Sequence, residues 1–510
     1  MGVCTNIAAA LTAHMREPLV VTQACKTLRI LALQAWRPAA SNKSVASKKA
    51  PTNHEIVLGF DVGSKSSETG RKAIIEARAH LAVCAALASA GIDGHGANKA
   101  AAAQKYLEAD DETLEGGEAL GSEAPKKNVA VEKENLGPQE GNEKIASAQL
   151  IQMVQAAASF LAVLALETGF DADGARDALM TANAQKIIAH SMDPMGPLQQ
   201  APVAMIGCME AVRQFAGSGE FATSLMRKDL MERNIDMRVC SCMRAYPKDI
   251  AVQRAGCAAL RNLSFGGREE GEVRRNGLVR NNAHVATCTA LRLFLSAESD
   301  PTRQVLSMAL QEAALGVIRN LTFGAGASSE LRRQALFRER APELVISALV
   351  VAKKAVDDGA RGSQMQGKIE GDASSVLMVG VVALGNLMSG TGYLAENRRH
   401  QCIVKDSYHR PIIAIMHEYS HNAQMQHACL VALSSLCLGT GDGALSARSA
   451  IVEYELPPLG ENLSIANRTG NTGGNLVSLT TKCLRRFAKD VQVTQVHSCH
   501  PYYASASIIR

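Results

Sequence analysis

Aromatic residues are scarce in this 510-residue chain: they make up 4% of it, and Trp36 is its single tryptophan. Apolar residues nevertheless reach 47%, so the core has to be built from Ala, Leu, Val, Ile and Met. Strands are enriched in aromatic and β-branched residues, whereas alanine, leucine and methionine favour helices. The composition therefore predicts an all-α fold, and the length accommodates several domains or one long array.

Long apolar runs and a disulfide framework are also missing. No stretch reaches the roughly 18 apolar residues of a membrane-spanning helix, and residues 1–20 lack the basic start and apolar run of a signal peptide. Most of the thirteen cysteines lie in apolar helical patterns such as QRAGCAAL, where a thiol packs as a small apolar group. We expect a reducing compartment, the cytoplasm, with the nucleus as an alternative.

The chain has no strong excess of one charge. A net charge of +5 is small for this length, and the basic residues are mostly dispersed, so we expect no nucleic-acid partner. Gly2 followed by Cys4 is similar to the start of doubly acylated proteins, but Asn6 stands where the myristoylation pattern requires Ser or Thr. We therefore expect neither a lipid anchor nor integral membrane association.

What the sequence does contain is a recurring segment. Each clear copy is an apolar helical pattern that ends in a glycine-rich turn, which is a typical helix stop. The clear copies are QRAGCAALRNLSFGG (253–267), LQEAALGVIRNLTFGAG (310–326), VGVVALGNLMSGTG (379–392) and MQHACLVALSSLCLGTG (425–441). Fainter copies align near Leu28, Leu87, Leu166, Val212 and Leu484, which gives about nine copies in all.

CAALRNLSFGG, GVIRNLTFGAG and ALGNLMSGTG resemble the third helix of the armadillo repeat, which commonly reads A-L-x-N-L before a glycine-containing turn. The resemblance covers residues 150–490 and, more faintly, residues 5–90. It implies a right-handed α-solenoid of about nine armadillo-like helical repeats with disordered insertions.

The largest expected insertion is residues 92–147, which are charged, rich in Gly and Ala, and poor in large apolar residues. Such a segment cannot bury enough apolar surface to offset the entropy of folding. Shorter insertions are expected at 38–53, 357–375 and 455–475. The predicted organisation is faint armadillo-like repeats at 1–91, the disordered insertion at 92–147, the main solenoid at 148–490 and a C-terminal tail at 491–510.

One stretch, MHEYSHNAQMQHACLVAL (416–433), contains histidines and a glutamate at the spacing of a metzincin zinc protease: His417, Glu418, His421 and His427. Gln424 stands where such enzymes need a glycine for the chain to turn, and no methionine follows Met425 to form their methionine turn. Two histidines at i and i+4 can still capture a metal weakly, because they share one face of a helix.

The same stretch aligns with another copy, MRAYPKDIAVQRAGCAAL (243–260). In that alignment Met416 falls on Met243, Tyr419 on Tyr246 and Gln426 on Gln253. The histidines then correspond to ordinary polar surface residues. We therefore expect no metal, no cofactor and no catalytic residues, and we interpret the stretch as the end of one helix, a loop and the start of the next.

The resemblance also implies a binding surface. In armadillo proteins the asparagine of A-L-x-N-L often faces a concave groove and hydrogen-bonds an extended peptide; the matching residues here are Asn262, Asn320 and Asn386. The alternative role of these amides is to tie adjacent repeats together. The residue one position earlier is arginine in five copies, at Arg29, Arg213, Arg261, Arg319 and Arg485.

Arginines along a groove favour an acidic partner, although the same position is also typical of a solvated edge. We take Arg213, Arg261 and Arg319, together with the three asparagines, as the candidate protein-binding residues. Nuclear-import receptors of this family carry a tryptophan four residues before the asparagine, where Ala258, Gly316 and Val382 stand. Without indole rings, lysine stems lose their stacking sites, so we expect no basic import cargo.

The sequence thus predicts a non-enzymatic scaffold or adaptor that binds an extended, acidic polypeptide segment along its third helices. The alternative is the regulatory armadillo-repeat portion of a larger signalling enzyme similar to the leucine-rich-repeat kinases, although this chain has no kinase or GTPase motif. A zinc metalloprotease with the motif at 417–421 is the least favoured function.

Overall fold

The computed structural model describes residues 2–33, 65–90, 140–166, 172–194, 196, 198, 200–217, 221–295, 300–359, 364–439, 442–454 and 486. Over these residues the chain is all-helical and contains no β-strand, which confirms the all-α prediction. The helices are α1 Gly2–Ala13, α2 Pro18–Leu33, α3 Lys65–Glu76, α4 Ala79–Ser89, α5 Glu140–Leu164, α6 Ala172–Thr181, α7 Ala184–Ser191, α8 Pro202–Phe215, α9 Phe221–Glu232, α10 Ile235–Ala245, α11 Ile250–Leu263, α12 Arg268–Arg280, α13 Ala283–Leu293, α14 Pro301–Thr322, α15 Ala327–Arg338, α16 Ala341–Gly359, α17 Gln364–Met388, α18 Tyr393–His400, α19 His409–Glu418, α20 Ala423–Leu436 and α21 Asp442–Glu453.

The chain forms two compact units, Met1–Arg238 and Val239–Arg510, and the division falls within α10. From α3 to α20 the helices follow one another in triplets, which we number as first, second and third helices. In the first unit the third helices pack in chain order, α5 against α8, and α2 packs against α5. In the second unit α11 packs against α14, α14 against α17 and α17 against α20.

Each second helix begins directly after, or one residue after, a residue in the left-handed backbone conformation. These residues have φ between 54° and 62° and are Arg78, Asn183, Asn234, Asn282, Arg340 and Ser407. Asparagine tolerates this conformation because its short polar side chain can hydrogen-bond locally, whereas most L-residues lose about 1–2 kcal/mol in it. The connection between first and second helices therefore requires one residue in the left-handed conformation. Asparagine occupies this position in three of the six connections.

Arg340 offers a direct test of this connection. Its side chain is 73% exposed, and its 3.1 Å ion pair with Glu343 lies at the surface, where such pairs contribute little. Arg340→Gly is therefore expected to raise the free energy of unfolding by about 0.5–1 kcal/mol, because glycine adopts positive φ without steric penalty. Chemical denaturation measures this change. The matched control, Arg338→Gly within α15, should lower stability; stabilisation by both changes would contradict the explanation.

The glycine-rich turns after the third helices take the form that the sequence predicted. Four of their glycines have positive φ, between 109° and 121°: Gly266, Gly324, Gly390 and Gly439. Glycine adopts this conformation readily because it has no Cβ. The turns leave helix-end carbonyls without intrahelical partners, and these carbonyls need donors from elsewhere.

Arginines on the helix that follows each third helix supply those donors, and all of those named here except Arg448 are buried. Arg332 of α15 donates from Nε to the Leu321 carbonyl at 2.7 Å and from Nη2 to the Phe323 carbonyl at 2.9 Å. Equivalent bonds end the other third helices, from Arg176 to Ala165, Arg227 to Ala216, Arg274 to Phe265, Arg399 to Met388 and Gly390, and Arg448 to Cys437 and Gly439. A cation at a helix C-terminus also opposes the negative end of the helix dipole.

The structure corrects the assignment of two faint copies. The segment near Leu87 lies in α4, which follows the left-handed residue Arg78 and is therefore a second helix. Leu166 lies beyond the end of α5, and the fully buried Leu161 stands as far from that end as Leu260 does in α11. The two copies therefore belong to one triplet, α3 to α5, with residues 90–139 between its second and third helices.

The predicted insertions are also shorter than expected where the structure describes them. The helix α5 begins at Glu140, so residues 140–147 of the expected 92–147 insertion are helical. Similarly, α17 begins at Gln364 within the expected 357–375 insertion. The rest of the large insertion, the segments 38–53 and 455–475, the copy near Leu484 except Arg486, and the 491–510 tail lie outside the described residues.

One window of α17, Gly371–Met388, is long and apolar enough to cross a membrane by length and composition. This helix packs against α14, α16 and α20, and its apolar residues Leu377, Val381 and Leu384 are fully buried there. We therefore interpret the window as part of a protein core.

Candidate functional site

The predicted binding residues lie on third helices, at the helix ends where the chain turns. Arg261 and Asn262 are on α11, Arg319 and Asn320 on α14, and Asn386 on α17. Because α11, α14 and α17 pack in that order, these five residues come together, and we call them the Arg–Asn face. Arg213, the sixth predicted residue, lies on α8 in the first unit.

Two asparagines of the Arg–Asn face, Asn320 and Asn386, bond to the neighbouring third helix. Asn320 Nδ2 donates to the Arg261 carbonyl at 2.9 Å and to Ser264 Oγ at 3.2 Å. Asn386 Nδ2 donates in the same way to the Arg319 carbonyl at 3.0 Å. Each amide thus satisfies a carbonyl near the end of the preceding third helix, which is the tying role that the sequence left open for these residues.

The arginines differ in their partners. Arg213 Nη1 lies 2.8 Å from Glu210 Oε2, and Arg261 Nη1 lies 3.0 Å from Glu312 Oε1. Arg319 donates from Nε to Asn320 Oδ1 at 3.2 Å, and this is its only side-chain hydrogen bond within the part of the chain that the structure describes. Of the three predicted arginines, Arg319 alone therefore lacks a paired carboxylate.

Arg261 crosses to α14 through a gap at Gly316. A Cβ at Gly316 would lie 2.5 Å from Arg261 Cδ and 3.1 Å from its Cγ, so any larger residue would displace the arginine stem. Glu312, Gly316 and Arg319 follow one another at helical spacing and share one face of α14. The guanidinium of Arg261 therefore lies on the same helix face as Arg319.

Burial and like charge act together on Arg319. Its side chain is half-buried, and burial followed by the nearby charge of Arg261 lowers the pKa of its guanidinium, while Glu312 opposes the shift. Arginine stays protonated in proteins. The two cations and one carboxylate consequently leave one uncompensated positive charge at this end of α14.

In the stretch with the histidines, the helix ends inside the motif. The helix α19 stops at Glu418, and Tyr419 to His421 form a turn, so His417 and His421 do not share one helix face. Glu418 Oε2 lies 3.1 Å from Lys353 Nζ, and burial raises the pKa of this carboxyl. Among the described residues, no group of three or more His, Cys, Asp or Glu side chains could hold a metal ion.

The alignment of this stretch with residues 243–260 corresponds to shared geometry. Gln426 Nε2 donates to the carbonyls of Met416 at 2.5 Å and Tyr419 at 3.1 Å. Gln253 Nε2 makes the same two bonds, to Met243 at 2.7 Å and Tyr246 at 2.9 Å. Both glutamines are buried, and each supplies donors to the end of the preceding second helix.

Comparison with known proteins gives no further guide to this surface. Neither a protein-family model nor a curated protein matches the chain.

Sequence reasoning missed two parts of this arrangement. Glu312 carries no signal in the copy alignment, because its partner Arg261 comes from the preceding third helix. The capping arginines do leave a signal, since the Arg-Arg pairs at 274–275, 332–333 and 398–399 follow Asn262, Asn320 and Asn386 at one constant spacing. That regularity could have located the first helices.

Proposed function

We propose that this chain is a non-enzymatic protein-binding scaffold, built as an α-solenoid of the armadillo kind, whose third helices bind an extended acidic polypeptide. The observation that carries the proposal is the packing of α11, α14 and α17 in chain order, with arginine or asparagine at equivalent positions on each. Neighbouring helix axes are about 8–10 Å apart, which matches about three residues of extended chain.

The recurring local geometry supports the repeat architecture. Left-handed connections precede the second helices, and arginines end the third helices of both units. In the second unit, the third helices α11, α14 and α17 pack in chain order, and such stacking places equivalent residues in a line. A ligand that binds this line has to be elongated.

The charges support an acidic ligand in a reducing compartment. Arg213, Arg261 and Arg319 all lie near the ends of third helices, and guanidinium groups bind carboxylates in bidentate, charge-assisted geometry. The eleven described cysteines form no disulfide with one another, and ten of them are buried. This supports the proposal of a cytoplasmic protein, with the nucleus as an alternative.

A peptide array tests this function. Extended peptides rich in Glu and Asp are compared with copies in which every acidic residue is replaced by its amide. We expect the full chain to retain only the acidic members, with binding that weakens as salt is raised. The double variant Arg261→Gln/Arg319→Gln should lose this binding, whereas Arg338→Gln on a first helix should keep it. Equal retention of the amide copies, or no loss in the double variant, would refute the proposal.

A further inference from the structure

Arg319 differs from the other predicted arginines because its terminal nitrogens are available. Its Nε is occupied by Asn320 Oδ1 at 3.2 Å, and neither terminal nitrogen has a hydrogen-bond partner within the described parts of the chain. The backbone of the same residue is fixed, since its carbonyl accepts from Asn386 Nδ2 at 3.0 Å and from the Thr322 hydroxyl at 3.0 Å. The guanidinium of Arg319 is thus held through Nε, while its terminal nitrogens Nη1 and Nη2 can bind a ligand.

The residues around Arg319 are themselves held in place. Asn320 is buried, and its Nδ2 bonds to Arg261 and Ser264 keep its Oδ1 directed at Arg319. Arg261 is fixed along Gly316 and against Glu312. The Arg319 guanidinium is therefore a pre-organised donor. Its side chain loses little conformational entropy when a ligand binds.

Glu312 accounts for the different states of the two arginines. Its carboxylate lies 3.0 Å from Arg261 Nη1, which is the position that a ligand carboxylate would otherwise take. Both side chains are about one-third exposed, 38% for Arg261 and 32% for Glu312, so the pair competes with an external anion at the surface. Among the described residues, no carboxylate is hydrogen-bonded to Arg319 in the way that Glu312 is to Arg261.

We propose that Arg319 is the residue that selects the acidic ligand, by binding one carboxylate through its terminal nitrogens, while Glu312 withholds Arg261 from the ligand. This inference rests on the proposed function and assigns its specificity to one position. Arg213, which is paired with Glu210 at 2.8 Å, is assigned no part in it. Asn320 and Asn386 hold the site together through their bonds to the preceding third helix.

The charge balance favours a carboxylate over a phosphate group. Arg261, Arg319 and Glu312 together carry one excess positive charge, which a single carboxylate neutralises. A phosphate group carries about −1.5 to −2 charges at neutral pH, and Glu312 would repel the second charge. The ligand class is therefore an Asp- or Glu-containing segment.

The probe is a fluorescein-labelled glutamate decapeptide, titrated with the full chain at low salt and followed by fluorescence anisotropy. Arg319→Gln is expected to weaken binding about tenfold, as for one charge-assisted hydrogen bond, and Arg319→Lys should weaken it less because the charge remains. Glu312→Gln is expected to strengthen binding severalfold, since it frees Arg261 and removes a repulsive charge. Arg338→Gln is the matched control and should leave affinity unchanged.

A purely structural role of Arg319 would not produce a gain of affinity in Glu312→Gln, so that variant separates recognition from folding. If the decapeptide binds but Arg319→Gln binds as well as the wild type, this inference fails while the proposed function stands. If the decapeptide does not bind the wild-type chain, both fail. Tighter binding of a phosphoserine decapeptide than of the glutamate decapeptide would overturn the carboxylate assignment.

Discussion

Replacing Arg332 by methionine is expected to lower the free energy of unfolding by about 3 kcal/mol. The side chain is 1% exposed, and it donates to the carbonyls of Leu321 and Phe323 and to Asn276 Oδ1. Methionine fills much of the volume but offers no donor. The buried Leu321 carbonyl at the end of α14 would then lose its donor, and such a buried unpaired group costs about 1–3 kcal/mol.

Chemical denaturation of the purified variant measures this effect. The control is Arg338→Met on the same helix, where an exposed side chain is replaced and stability should change by no more than about 0.5 kcal/mol. Arg332→Lys should fall between the two, since one ammonium cannot reach three acceptors with the geometry of a guanidinium. A loss under about 1 kcal/mol for Arg332→Met would mean that water replaces the arginine as the donor.

Acid is expected to destabilise the protein partly through His409. This histidine is 3% exposed, and burial, with a smaller contribution from Arg410, lowers its pKa to about 4. In the unfolded chain the imidazole takes up a proton near pH 6.5. Between these values the unfolded state binds more protons than the folded state, so stability falls as pH falls through this window and levels off below pH 4.

The contribution of His409 to this loss is on the order of 2 kcal/mol. His409→Phe keeps the edge-to-face contact with Tyr454, whose ring centroid lies 5.6 Å away, and removes the titrating group. Denaturation at pH 7 and pH 4.5 should show a smaller difference for His409→Phe than for the wild type. His421→Phe, which replaces an exposed imidazole, serves as the matched control.

The sequence predicted the helical class because the core had to be made from small and aliphatic residues. The register was also predicted where the copies are close in sequence, and the shared bonds of Gln253 and Gln426 correspond to that alignment. It failed near Leu87 and Leu166, because a long segment separates the second helix of that triplet from its third. There the apolar pattern alone could not distinguish a second helix from a third.

The site was predictable in its positions but not in its bonds. Asn320 and Asn386 lie on adjacent third helices, as the copy alignment indicates, yet which carbonyl each amide reaches depends on how closely those helices pack. The pairing of Arg261 with Glu312 depends on the gap at Gly316, and a glycine in a helical pattern does not reveal which side chain will cross it. The hydrogen-bond partner of a long side chain can be predicted only when the positions of the surrounding backbone are known.

The arginine caps also decide where this chain can be cut. Because the donor for each third helix comes from the first helix of the next triplet, a fragment that stops at Thr322 would lose Arg332 and expose the end of α14. A fragment that continues to Arg338 would retain the cap. Truncation boundaries for expressing parts of this protein therefore belong after a first helix, one helix later than the ends of the sequence copies suggest.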